Sequence, residues 1–188
     1  MKKFITELEE HQSTIERLAD CSGIIEVAAE MLIETLKQKG KIFLCGNGGS
    51  AADCQHIAAE LVVKYQKVRP ALAAIALTTD TSILTAHAND FGFETVYARQ
   101  IEALATEKDC LIAISTSGRS KNIINAVEAA KLKGMLVIGL TGAEGGELGQ
   151  LVPYSINVPS KVTARIQEAH ILIGHWWCSV IEETLSVK

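Results

Sequence analysis

His56 and Glu60 stand four residues apart in a segment with helical apolar spacing, so an imidazole and a carboxylate share one helix face. Such a pair can bind a metal ion or move protons, and it can equally be a plain solvated helical pair. What precedes it separates the two readings. Gly46-Asn47-Gly48-Gly49-Ser50 puts three glycines in five residues directly before the helix. A loop of that kind admits positive φ and lets backbone N–H groups come close to a ligand. Free N–H groups and the helix dipole at a helix start both favour phosphate. Ser50 is expected to cap the helix. The loop matches neither GxGxxG nor GxxxxGK[ST], which argues against NAD and ATP.

A second group lies at residues 115–120, Ser-Thr-Ser-Gly-Arg-Ser. One hydroxyl suffices to cap a helix; four around a glycine can hold a phosphate dianion together with backbone N–H groups. A third group lies in an apolar segment starting near Thr163, where Gln167, His170 and His175 sit among Ile166, Ile171, Leu172, Ile173, Trp176 and Trp177. A lone histidine on such a helix is first of all a core residue. The cluster at residues 78–82, Thr-Thr-Asp-Thr-Ser, is either a helix cap or part of a polar site, and capping is the commoner use.

The elements that must position these groups follow from the apolar pattern. Short apolar runs at 41–45, 71–77, 110–114, 136–140 and 154–158 predict five strands. Helices are predicted over 51–61, 83–88, 94–106, 121–133 and 163–185, with turns at 89–92 and 141–149. That alternation implies a parallel sheet with helices on both faces and ligands outside the carboxyl ends of the strands. Both hydroxyl- and glycine-bearing loops fall there. Residues 3–38 read as helical with a break at Cys21-Ser22-Gly23. Their apolar stripes are Phe4, Ile5 and Leu8, then Ile25, Ala28, Leu32 and Leu36. Preceding the first strand, these helices need not cover the sheet, and they are expected to serve assembly. The chain is thus one domain, 1–188, with helices over 1–39 and an α/β core over 40–188.

Composition narrows the function classes. With 48% apolar residues, 188 residues can bury a substantial core, and a net charge of −4 leaves no electrostatic footprint for nucleic acid. No apolar run is long enough to span a bilayer, and the charged start MKKFITELEEHQ lacks a signal-peptide core. Cys21, Cys45, Cys54, Cys110 and Cys178 are odd in number and scattered, as reduced, mostly buried thiols of a cytoplasmic protein would be.

Five stretches together resemble the phosphoheptose isomerases of the sugar-isomerase (SIS) domain family. They are GNGGSAADCQHIAAEL, ANDFGFE at 88–94, ISTSGRSKNI at 114–123, TGAEGGE at 141–147 and VPSKVTARIQEAHILIGH at 158–175. The resemblance spans the chain from Gly40 and, more loosely, the N-terminal helices. It implies a flavodoxin-like, three-layer, five-stranded parallel sheet and a homotetramer with sites at subunit interfaces. It implies conversion of sedoheptulose 7-phosphate to D-glycero-D-manno-heptose 7-phosphate, the first step toward nucleotide-activated heptose for lipopolysaccharide core or related glycans. It implies zinc at His56, Glu60, Gln167 and His175, with no organic cofactor. The substrate contacts it implies are Asn47, Gly48, Gly49, Ser50, Glu60, Asn89, Asp90, Ser115, Thr116, Ser117, Ser120 and Gln167. Two departures stand out. The Asp that often precedes the RIQE-like run is missing from Lys161-Val162-Thr163-Ala164, and His87 replaces a small or aliphatic residue.

The chemistry agrees with these residue types. An aldose–ketose isomerase moves a proton between neighbouring carbons through an enediol, which needs a carboxylate base, an acid and a stabiliser of developing charge. Glu60 is the expected base and His175 the expected acid or proton shuttle. Two alternatives are weighed against this reading: a non-enzymatic relative, the DnaA initiator-associating protein type, and an isomerase for another sugar phosphate such as arabinose 5-phosphate. The presence of Glu60 and His175 favours the enzyme. Gln167 and His175, eight residues apart on one helix, are separated by roughly 12 Å along its axis, far more than zinc bonds of about 2 Å can bridge. Either the helix is irregular, or the two reach one ion from different chains.

Overall fold

The computed structural model describes residues 3–186. Helices α1 (Phe4–Leu18) and α2 (Ser22–Lys37) precede β1 (Ile42–Cys45). Then follow α3 (Gly49–Val62), β2 (Ala74–Ala76), α4 (Thr81–Phe91), α5 (Val96–Leu104), β3 (Cys110–Ile114), α6 (Lys121–Leu132), β4 (Leu136–Thr141), α7 (Gly146–Leu151), β5 (Tyr154–Asn157) and α8 (Thr163–Leu185). The strands form one all-parallel sheet in the order β2-β1-β3-β4-β5. From β1 the chain steps outward to β2, then returns to place β3 on the other side of β1. That reversal is a topological switch point, and it opens a crevice at the carboxyl ends of β1 and β3. The loops at 46–50 and 115–120 follow these two strands.

Alternation along the strands builds two cores. Ile42, Leu44, Ile112, Ile114, Ile138 and Leu140 face a layer made by α2, α3 and α8. Phe43, Cys45, Leu111, Ala113 and Val137 face a layer made by α5, α6 and α7. Both faces are covered, which is why the strands read as continuous apolar runs. In α8, Ile166, Ala169, Ile173, Trp177 and Ile181 enter the first core, and the Trp177 Nε1–H donates to the Ile25 carbonyl at 3.0 Å.

That last bond marks a departure from expectation. Helix α2 does not stand outside the α/β unit: Ala28, Ala29, Leu32, Ile33 and Leu36 belong to the core, and α2 packs on α8 and β5. With α3 and α8 alone, part of that sheet face would stay uncovered. Of these two helices, α1 is the one that keeps an apolar stripe in solvent, with Phe4 75% and Ile5 55% exposed. The break between them is a 3₁₀ turn at Ala19–Cys21. Helix α4 is longer than predicted. The Asp80 side chain caps it by accepting from the Ile83 N–H at 2.9 Å, so the hydroxyl cluster at 78–82 supplies a cap. Asn89 and Asp90 lie in its last turn, not in a turn after it. The helix predicted over 94–106 is a 3₁₀ turn, Phe93–Thr95, leading into α5, and the glycine-rich stretch at 141–149 contains the start of α7. All five cysteines are free, four of them buried. No helix among the described residues is long and apolar enough to cross a membrane.

Candidate active site

The glycine loop leaves β1 under a hydrogen bond from the Tyr97 hydroxyl to the Gly46 carbonyl at 2.7 Å. Gly48, at φ 57° and ψ −121°, is the residue before α3, a conformation that side chains disfavour. The helix begins at Gly49, so Ser50 is not its cap. No side chain caps α3, and Ser50 lies buried in the first turn. The chain turns into the helix through glycine backbone alone. Asn47 is held from outside the loop: its Nδ2 donates to Asn122 Oδ1 at 2.9 Å, and Asn122 Nδ2 donates back to Asn47 Oδ1 at 2.8 Å.

Helices α3 and α8 pack against each other and carry the remaining groups. Near the start of α3, Gln167 presses on Gly49 so closely that a Cβ there would collide with its amide. Two turns further on, His175 Nε2 lies 3.3 Å from His56 Nε2, and His56 Nε2 lies 3.2 Å from Glu60 Oε1. The rings of His175 and Tyr65 stack with centroids 5.7 Å apart at 23°. The structure therefore brings His56, Glu60 and His175 together within one chain. Gln167 sits apart from them, because α8 runs unbroken through both positions. The irregular-helix alternative is closed. Both contacts fall on one His56 nitrogen, so the side chains fold onto one another. Among the described residues no three His, Cys, Asp or Glu side chains surround a common point as a metal group.

Asp53 belongs to this cluster and was not anticipated. It lies on the same stripe of α3 as Gly49, His56 and Glu60, at steps of four, three and four. Its Oδ2 is buried without a hydrogen-bond partner. Burial raises the Asp53 carboxyl above the ordinary range, while His56 and His175 pull it down. The signal that could have found it is the helical period, run backward one turn from His56.

The segment after α3 is clamped to α8. Glu182 Oε atoms accept from the backbone N–H groups of Tyr65, Gln66 and Lys67 at 3.0, 2.9 and 2.5 Å. Arg69 Nε lies 3.2 Å from Glu182 Oε2. That is close enough for charge pairing but not aligned as a hydrogen bond, since Nε has no hydrogen-bond partner. The guanidinium also donates to the Glu60 and Leu61 carbonyls at 2.7 and 2.8 Å. One buried ion pair thus fixes both the end of α3 that bears Glu60 and the loop whose Tyr65 faces His175.

At the second loop none of the four hydroxyls caps α6. Ser115 Oγ lies 3.1 Å from Ser120 Oγ, and Ser117 Oγ accepts from the Arg119 N–H at 3.2 Å. Gly118, at φ 64°, lies so tight on the Gly145 carbonyl that no Cβ fits, which braces the loop on the start of α7. Thr116 and Ser117 line a cavity of about 190 Å³ with Gly142, Ser160 and Thr163. On its rim Glu144 pairs with Arg119 at 2.7 Å and Lys161 at 3.2 Å.

Asn89 and Asp90 stand at the exposed end of α4, where Asn89 Nδ2 donates to Asp90 Oδ1 at 2.7 Å. None of their hydrogen bonds joins them to the two loops. His87 is buried, its Nε2 2.8 Å from Thr95 Oγ1, and it ties α4 to the turn at Phe93–Thr95. His170 is a core residue: its Nε2–H donates to the Thr141 carbonyl at 3.2 Å, and burial holds its pKa down to about 4.

Comparisons with known proteins place the chain in a family. The SIS domain profile matches residues 4–142. The chain is 54% identical over 178 residues to phosphoheptose isomerase 1 of Campylobacter jejuni, covering 95% of this chain and 96% of the relative. It is 55% identical over 179 residues to the phosphoheptose isomerase of Nitratiruptor sp., with 95% and 96% covered. Among solved structures, the phosphoheptose isomerase of Neisseria gonorrhoeae superposes with a TM-score of 0.90 at 43% identity over 96% of this chain and 97% of the other. That of Francisella tularensis superposes with a TM-score of 0.92 at 38% identity, with 96% of each chain covered.

Proposed function

The chain belongs to the phosphoheptose isomerases of the SIS-domain family, and on that premise we propose that it converts sedoheptulose 7-phosphate to D-glycero-D-manno-heptose 7-phosphate through an enediol. The observation that carries this reading is the convergence of Glu60, His56 and His175 on α3 and α8. The helix that carries His56 and Glu60 leaves the glycine loop after β1, one of the two loops of phosphate-binding type that flank the switch point of the sheet. The Glu60 carboxylate takes the proton from the carbon beside the carbonyl and returns it to the neighbouring carbon. His175 gives and accepts the proton on the sugar oxygens, oriented by the Tyr65 ring. Ser115, Thr116, Ser117 and Ser120, none of them spent on capping, hold the phosphate end. Asn47, Gly48, Gly49, Ser50, Asn89, Asp90 and Gln167 take the sugar hydroxyls.

The donor set suits zinc. Two imidazoles and a carboxylate, His56, His175 and Glu60, are of the ligand types that zinc takes and stand within 3.3 Å of a shared His56 nitrogen, from which side-chain rotation would have to open them around an ion. The unpartnered, buried Asp53 Oδ2 beside them is a negative charge that a cation would balance. His56, Glu60 and His175 would hold the ion, with Gln167 as a further ligand. When bound, zinc polarises the carbonyl and stabilises negative charge on the enediol oxygens. The exposed Phe4, Ile5 and Leu8 of α1 support assembly, which we take to be a homotetramer with sites at its interfaces, and the free thiols suit the cytoplasm.

The test is turnover of sedoheptulose 7-phosphate by the purified protein, followed by NMR, before and after chelation and after adding zinc back. Formation of the aldose heptose phosphate is expected, with loss on chelation and recovery on zinc. No turnover with zinc present refutes the substrate assignment. Full turnover by protein proven metal-free refutes the zinc assignment alone.

A further inference from the structure

We propose that Asn122 is a positioning residue for the isomerisation, holding Asn47 and locking the two ligand loops to each other across the switch point. The inference rests on the reading of Asn47 as a sugar-binding residue. Asn47 lies in the loop after β1 and Asn122 in the first turn of α6, which follows the loop after β3. They are 75 residues apart in sequence but meet where the strand order reverses. Their side-chain amides bond reciprocally, at 2.9 and 2.8 Å.

The demands of the fold do not explain Asn122. Asparagine is a weak helix former, and a buried amide carries a cost unless it is bonded. Asn122 is only 4% exposed, yet its amide bonds to Asn47, not to the ends of its own helix. It is not the cap of α6, a position that Ser120 fills with its backbone alone. An apolar residue of equal size would suit both the helix and the core better. The amide is there for its partner. Asn47 stands between Gly46 and Gly48, where the backbone has the most freedom to lose on ordering. With Asn122 in place, that freedom is removed before a ligand arrives.

The chemistry left over fits a sugar. Each amide has two N–H groups and a carbonyl oxygen with two lone pairs, and the pair uses one N–H and one lone pair from each. Half-buried Asn47 keeps one N–H and one lone pair, the complement of a hydroxyl group. Because the brace ends in the helix that opens from the Ser115–Ser120 loop, it also sets the distance between the loop that meets the sugar and the loop that meets the phosphate. A substrate spanning both then finds them already in register, and misplacement of about 1 Å can cost about 100-fold in rate.

The experiment compares Asn47→Ala, Asn122→Ala, Asn122→Leu and the double variant Asn47→Ala/Asn122→Ala on sedoheptulose 7-phosphate, with thermal melts and oligomer mass for each. Asn122→Leu keeps the branched shape and the number of heavy atoms and suits the helix, though it is bulkier, so the protein is expected to stay folded with at most a modest loss of melting temperature. Its kcat/KM is expected to fall about 10- to 100-fold, divided between kcat and KM as in Asn47→Ala. The double variant is expected to be no worse than Asn47→Ala, because Asn122 acts through Asn47. Wild-type kcat/KM in Asn122→Leu overturns the inference, as do additive losses in the double variant. A joint collapse of melting temperature in both Asn122 variants assigns the residue to folding and overturns it too. Unchanged kinetics in Asn47→Ala show instead that the reading of Asn47 itself has failed.

Discussion

Glu60 is the residue that we propose as the base. Its backbone carbonyl is held by Arg69 at 2.7 Å and its carboxylate meets His56 at 3.2 Å, so its position is fixed at both ends. Glu60→Gln keeps the volume and removes the basicity. We expect kcat to fall about 100- to 10,000-fold with the melt unchanged, as steady-state assays and calorimetry will read. A loss under tenfold means that another group is the base. His56 and Glu60 were legible in the sequence because four-residue spacing on a helix has one geometric meaning. Asp53 obeys the same rule, but an aspartate in the first turns of a helix has an ordinary explanation in the dipole, so spacing alone does not single it out. His175 was visible as a residue, but its partner 119 positions away was not, because tertiary contacts leave no trace in local spacing.

Among the elements, α3 and α8 make the site only as a pair, and the Glu182–Arg69 clamp holds that pair. Glu182 and Arg69 are almost fully buried. Removing one partner leaves the other charge without its counter-ion, so Glu182→Gln is expected to cost about 3–5 kcal/mol at neutral pH, measurable by urea unfolding. Burial raises the Glu182 carboxyl, but the N–H groups of Lys67, Gln66 and Tyr65 and the Arg69 charge outweigh it, and it titrates below its ordinary value. The unfolded chain therefore takes up the proton first as pH falls. This stabilisation is full above the ordinary carboxylate range near pH 4.3 and is lost as pH drops through the depressed folded value. The gap between wild type and variant should narrow in acid; a gap that stays constant down to pH 2 would exclude the clamp as its source. Strands and their order of appearance were legible because buried parallel strands are short apolar runs. Helix starts were less so. Ser50 has the residue type of a cap, yet Gly48 turns the chain without one, and the role of α2 on the sheet depends on what α3 and α8 leave bare, which its own sequence does not show.

For the whole molecule, α8 as one unbroken helix puts Gln167 and His175 at separate places along α3. A single ion served by both must then draw them from different copies. Gln167→Ala and His175→Ala, each inactive alone, are expected to regain activity when reassembled into mixed oligomers. Inactive mixtures, with mixed oligomers proven by mass spectrometry, would mean that the two residues serve separate purposes within one chain. Assembly was the least legible level, since an exposed apolar stripe such as Phe4, Ile5 and Leu8 signals that a surface is covered without saying by what. The place of α8 in the chain has a consequence for biosynthesis. His56 is translated 119 residues before His175. At about 5–20 residues per second the ribosome leaves the first imidazole waiting roughly 6–24 seconds for the second. The five strands are complete only at Asn157, and from then until α8 is made the face of the sheet that Trp177 and Ile173 will cover stands open on the nascent chain. Newly made protein is thus both inert and adhesive until its last helix emerges, and a chaperone that shields apolar surface would find its target there.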